Sequence, residues 1–166
     1  SVRMAGDKMN TDITEYIKAK HGLVIGEHSA EQIKIKLGTA LKVAEPKTMD
    51  VRGRDVATGM PRQIQINENE IEEALHDTLD QIVHAAIAVL ETVPPELASD
   101  IIDRGVMLTG GTALLHGIDQ LFSEKLKVPV VVSQDPLDNV AKGAGELLER
   151  MQANPANNGK RKRKRK

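Results

Sequence analysis

The sequence predicts an α/β fold, and three observations carry that reading. Ile71, Ala74, Leu75, Leu79, Ile82, Val83, Ala86, Ile87 and Leu90 fall on one stripe at helical spacing. Residues 106–132 read as a short apolar strand, a glycine turn, a helix and a second apolar strand. Residues 63–66, Gln-Ile-Gln-Ile, alternate with the period of a sheet that has one wet face. A helix crossing between two strands implies a parallel, right-handed pair. At 166 residues the chain is one domain or two small subdomains sharing a core.

The elements follow in order. Met9, Ile13 and Ile17 mark one face of a helix over 7–21, with Asp7 as its N-cap and Gly22 as its C-cap. Ser29 and Gln32 have capping-box spacing. They predict a short helix that buries Ile33 and Leu37 and stops at Gly38. Residues 48–66 predict strands around Gly53 and Gly59. Asn67 and Glu70 form a second capping box, opening the long helix that runs to about residue 92. Pro94 and Pro95 end it, and Pro95 suits the first position of another helix. A strand over 106–108, a helix over 113–125 and a strand over 128–132 come next. Asp138 caps a last helix to about 151, and residues 152–166 form a tail. Gly143 and Gly145 inside that last helix each cost about 1 kcal/mol against alanine, which suits a close helix approach there or a helix that begins later, with the glycines in a loop.

Composition excludes several classes. Tyr16 and Phe122 are the only aromatic residues, so the core is aliphatic and a base-stacking surface for single-stranded nucleic acid is ruled out. With no cysteine, neither disulfides nor thiolate metal sites are possible. His21, His28, His76, His84 and His116 share no metal-ligand spacing, and no metal site or catalytic residue is assigned. No apolar run reaches the length of a membrane span. The net charge of −1 hides an asymmetry, because residues 160–166 are all Lys or Arg. The other 159 residues carry 16 basic and 24 acidic side chains, a net of −8. Such a basic run is expected to be disordered, and its chemistry is attraction to polyanions.

The densest signal is at residues 106–115, VMLTGGTALL. Two glycines at a strand-to-helix turn let a ligand reach the backbone. The helix after them directs unpaired N–H groups and its positive end at the turn. That suits a nucleotide, and it also suits a plain β–α turn. Residues 108–115 resemble the adenosine motif of the actin superfamily. Residues 1–9, 25–34, 51–61, 92–105 and 135–145 resemble, in order and spacing, segments of the MreB/Mbl family of bacterial actins. The similarity covers about residues 1–150 and matches the C-terminal half of that family only.

The resemblance implies the second half of the actin/Hsp70-like ATPase fold. Residues 1–21 and 92–151 would form subdomain IIA, and 22–91 subdomain IIB. Gly110, Gly111, Thr112, Ala113 and Leu114 match residues that lie against the adenosine. Thr112 stands where MreB proteins more often have a third glycine. Glu31, Gln32 and Lys34 match the helix that walls the other side of the adenine slot. The family's phosphate-gripping hairpins and metal-binding carboxylates would lie before Ser1, so the chain would hold the base and sugar without the catalytic side. ATP is the implied ligand, with Mg2+ only when the N-terminal half is present.

The family implies self-assembly into filaments, cell-wall synthesis and morphogenesis proteins as partners, and a cytoplasmic place at the inner membrane surface. Nucleic acid is not favoured. Competing readings are another actin-like ATPase fragment, of sugar kinase or chaperone type, and a module led by the basic tail that binds anionic lipid or nucleic acid.

Overall fold

The computed structural model describes residues 6–153, and the basic run at 160–166 lies outside them. Helix α1 (Gly6–His21) buries Met9, Ile13 and Ile17 completely. Asp7 therefore sits inside the first turn of α1 rather than capping it. Gly22 ends the helix at φ +61°, its N–H bonded to the Lys18 carbonyl at 3.1 Å.

Strand β1 (Leu23–Val24) is two residues long because the chain turns at Gly26 into α2 (Glu27–Leu37). The capping box expected at Ser29 and Gln32 does not form. Gly26 occupies the N-cap position with no side-chain cap, and its carbonyl accepts from Ala30 at 3.1 Å. The reason is the buried stripe, which runs Ala30, Ile33, Leu37 and needs the turn before Ala30 to be helical already.

Strands β2 (Thr48–Asp55) and β3 (Pro61–Asn67) form an antiparallel hairpin, and the sheet order is β1-β2-β3. Val51 faces Ile64, and Met49 faces Ile66. The Asp55 carboxylate closes the turn by accepting from the Ala57 and Thr58 N–H groups, both at 2.9 Å. Gly59 completes it at φ +71°.

Helix α3 (Glu68–Leu90) starts with the capping box the sequence predicts. The Glu70 N–H bonds to the Asn67 side chain at 3.2 Å, and the Asn67 N–H to the Glu70 carboxylate at 3.0 Å. Ile71, Leu75, Leu79 and Val83 are buried against the rest of the core. The helix ends two residues before the predicted 92. Helix α4 (Pro95–Arg104) has Pro95 in its first turn, as predicted.

Strands β4 (Val106–Leu108) and β5 (Val130–Val132) pair in parallel, Val106 beside Val130. The connection between them departs from expectation. The single helix predicted over 113–125 is a 3-10 turn (Gly111–Leu114), a break, and then α5 (Ile118–Leu126). Tertiary pairing imposes the break. Thr39 and His116 form a one-residue parallel bridge, the Ala40 N–H reaches the His116 carbonyl at 2.8 Å, and the His116 N–H reaches the Gly38 carbonyl at 3.2 Å. Leu115 is therefore extended, and Gly117 restarts the helix at φ +71°.

Helix α6 (Asn139–Ala153) begins just after Asp138. A Cβ at Gly143 or Gly145 would meet nothing within 4 Å, so the close helix approach expected there is absent among the described residues. One aliphatic cluster joins α1, α2, α3, α5 and both sheets, with Phe122 as its aromatic member.

Candidate nucleotide site

A cavity of about 730 Å3 opens between α2 and the glycine turn after β4. Glu31, Lys34 and Ile35 line one wall. Thr109, Gly110, Gly111, Thr112 and Leu114 line the other, and Gly6, Met9, Leu115 and Leu137 complete it. Three aliphatic side chains on this lining are left to water: Ile35, Leu114 and Leu137 are 68%, 57% and 67% exposed. Large aliphatic groups held open around a glycine floor suit a flat, largely apolar ligand.

The floor is held from below. Gly110 adopts φ +90° and ψ 170°, a backbone closed to residues with a Cβ. Its N–H donates to the Pro136 carbonyl at 2.8 Å, and the Thr109 hydroxyl donates to the same carbonyl at 3.0 Å. Asn139 donates to the Thr109 hydroxyl at 3.2 Å and to the Ser133 hydroxyl at 2.6 Å. Lys142 pairs with Asp135 at 2.6 Å, and that hydrogen bond raises the lysine pKa above its usual value. The loop 133–139 is thus tied to the turn at three points. A Cβ on Gly111 would meet only the Leu137 side chain, at 3.6 Å, so the backbone there is open to the cavity. The first N–H groups of the 3-10 turn, at Gly111 and Thr112, have no main-chain acceptor among the described residues. They supply the donors that the longer helix was expected to supply.

The α2 wall is positioned by contacts at its C-terminal end. The Lys34 ammonium donates to the Gly6 carbonyl at 3.1 Å, joining α2 to the start of α1. Gly38 packs under Leu115, where a Cβ would come within 2.5 Å of the leucine Cδ2.

The structure brings Glu31, Lys34, Gly110, Gly111, Thr112 and Leu114 to one cavity. Ala113 is buried beneath the turn at 5% exposure and does not line it. Gln32 lies on a different face of α2 and lines a separate groove against β2, because one residue along a helix is a turn of 100°. Sequence reasoning missed Gly6, Met9, Ile35, Thr109, Leu115 and Leu137 as lining residues. For Ile35 a signal existed: it is an aliphatic residue off the buried Ala30, Ile33, Leu37 stripe.

Among the described residues no group of three or more His, Asp or Glu side chains is placed to hold a metal ion. No helix among them is long and apolar enough to cross a membrane.

A model of the MreB/Mbl protein family matches residues 1–156. The chain belongs to the MreB/Mbl family.

Its relatives fix the level of likeness. The cell shape-determining protein Mbl of Bacillus subtilis is 52% identical over 155 residues, 93% of this chain and 46% of that protein. The cell shape-determining protein MreB of Escherichia coli is 48% identical over 149 residues, 90% of this chain and 43% of that protein. The chain spans about half the length of the curated relatives it matches. Crystal structures of MreB5 of Spiroplasma citri, bound to AMPPNP and to ADP, both superpose with a TM-score of 0.89 at 31% identity. The AMPPNP form covers 95% of this chain and 47% of that one. A MamK chain solved as a double helical filament shares the fold, with a TM-score of 0.75 at 19% identity. The fold is therefore the actin-like one, and membership in this family removes the sugar kinase and chaperone readings.

Proposed function

We propose that this chain is the base- and sugar-holding half of an ATP-dependent, filament-forming bacterial actin that sets rod cell shape by organising wall synthesis. The observation that carries the reading is the cavity in which Glu31 and Lys34 face the Gly110–Leu114 turn across a rim of exposed aliphatic side chains. Adenine slides between Ile35 and the turn, the glycine backbone supports the ribose side, and Glu31 and Lys34 offer an acceptor and a donor. The AMPPNP- and ADP-bound states of MreB5 support adenine nucleotide as the ligand class. No residue of this chain is assigned to the phosphates or to Mg2+. Those contacts, and hydrolysis, belong to the phosphate-gripping half of the family fold.

Residues 22–91 form a IIB-type subdomain in this proposal, and 1–21 with 92–151 a IIA-type one. Self-assembly, morphogenesis partners and a place at the inner membrane face come with the family reading, the basic run at 160–166 adding attraction to anionic lipid.

Calorimetric titration of the full chain with ADP and ATP tests the site. Weak, saturable binding is expected, removed by Gly111→Val, whose branched side chain projects toward the cavity. Unchanged binding in a Gly111→Val protein that keeps its melting temperature overturns the assignment.

A further inference from the structure

The second groove, about 340 Å3, lies between α2 and β2 and has no part in the nucleotide site. Its β2 wall is an unfinished sheet edge. Strand β1 pairs with β2 only at Leu23–Asp55 and Val24–Arg54, then leaves for α2. The Val56 N–H bonds to the Gly22 carbonyl at 2.8 Å, while the Asp55 N–H bonds across the hairpin to Met60 at 2.9 Å. Even-numbered β2 residues therefore direct their main-chain groups to the β1 side, and odd-numbered ones to β3. Past the end of β1, the N–H and C=O groups of Thr48, Asp50 and Arg52 lie on the open edge with no main-chain partner among the described residues, and Asp50 and Arg52 line the groove. An antiparallel ladder that stops with a cavity beside it has room for another strand.

The groove also selects for charge. Its floor is Ile33 and Val51, both buried. On α2 the exposed His28 and Lys36 carry no ion pair among the described residues, and on β2 Arg52 is held by Gln63 at 2.9 Å rather than by an acid. Asp50 is the only carboxylate on this lining. A cationic rim on a domain whose bulk is acidic stands out, and it complements acidic side chains.

We propose that the free edge of β2 accepts an extended acidic peptide from a partner protein, which adds as a strand beside Thr48, Asp50 and Arg52. Main-chain hydrogen bonds supply the affinity. Alternate side chains divide between the Ile33–Val51 floor and the basic rim. The surface is independent of nucleotide.

The probe is an acetylated, amidated Glu-Val-Glu-Val-Glu peptide, with Lys-Val-Lys-Val-Lys as control, titrated into the isotopically labelled full chain. Binding of the acidic peptide should slow amide exchange at Asp50 and Arg52 and leave Met49 and Val51, already paired to β3, unchanged. Asp50→Pro removes a donor that β3 does not use and should weaken binding at least tenfold. The acidic peptide N-methylated at alternate residues should fail on the unmodified chain, which keeps the test valid if Asp50→Pro misfolds. Equal binding of the acidic and basic peptides overturns the proposal, as does binding that survives N-methylation. Protection of Asp50 and Arg52 by self-association of the chain, without peptide binding, overturns it too and assigns the edge to a second copy.

Discussion

Gly38 and Leu115 meet where no side chain fits between them. A Cβ on Gly38 would lie 2.5 Å from the Leu115 Cδ2 and 2.2 Å from the Lys34 carbonyl oxygen. The end of α2 is thereby packed against the residue that follows the 3-10 turn, which joins the two walls of the proposed nucleotide cavity.

Gly38→Ala should destabilise the chain by about 1–3 kcal/mol, since both obstacles sit in packed structure and one is backbone. Gly143→Ala is the contrast. It lies in an exposed helix with open space around it and should stabilise by up to about 1 kcal/mol. Urea unfolding of both variants checks the pair, and equal effects would contradict the packing argument.

Asn67→Ala removes the side chain that accepts from the Glu70 N–H. The loss should be about 1 kcal/mol. Glu70→Gln should cost more than the cap alone, because the Glu70 carboxylate also meets His21 at 2.8 Å and Lys20 at 3.8 Å. A double-mutant cycle with His21→Ala separates the two contributions.

A third test is pH. The Tyr16 hydroxyl donates to the Glu73 carboxylate at 2.5 Å, and Lys20 reaches the same oxygen at 3.0 Å. The tyrosine hydrogen bond first, and Lys20 second, lower the Glu73 pKa below 4.5. A lowered carboxylate contributes stability above its unfolded pKa and loses it as pH falls through the folded value. Burial, then Glu73, raises the Tyr16 pKa, and the Tyr16 and Glu73 hydrogen bonds raise that of Lys20. Their stability is present below the unfolded values near 10 and is lost as pH rises through the folded ones. Glu73→Gln should flatten the acid limb of a melting-temperature profile below about pH 5. An unchanged acid limb would remove Glu73 from the account.

The full chain alone should not hydrolyse ATP above background, because phosphoryl transfer rests on charge neutralisation around the phosphates and none of these residues is assigned to it. Phosphate release measured with Mg2+ present is the check. Robust turnover would place the chemistry within these 166 residues and sink the division into two halves.

Deleting residues 160–166 should weaken co-sedimentation with anionic vesicles at low salt, and moderate salt should narrow the gap. Equal binding by full-length and truncated chains would remove the tail as a membrane contact.

What was legible in the sequence was local. The capping box at Asn67 and Glu70, the proline at the start of α4 and the stripe Met9, Ile13, Ile17 each depend on neighbours within a turn or two. The break after Leu114 was not legible, because its cause is a main-chain bridge to residue 39 from a separate part of the chain. The start of α2 was misplaced for a similar reason: burial of Ala30 outweighs a side-chain cap at Ser29. At the candidate site, the nearness of the glycine turn to Glu31 and Lys34 was readable. Which face of α2 each residue takes was not: Gln32 lines the groove against β2, and Ile35, which the sequence reading left out, lines the cavity.

The bridge between Thr39 and His116 has a further consequence, in time rather than space. Its partners are 77 residues apart. At a synthesis rate of about 5–20 residues per second, His116 leaves the ribosome roughly 4–15 s after Thr39. The hairpin and the long capped helix between them can form during that interval from local contacts. The cavity cannot, since its second wall does not yet exist. The ligand site is thus completed only after the hairpin and the long helix, once the turn at 109–115 and Leu137 have been made, and a nascent chain stalled before residue 109 would be folded in part and unable to bind.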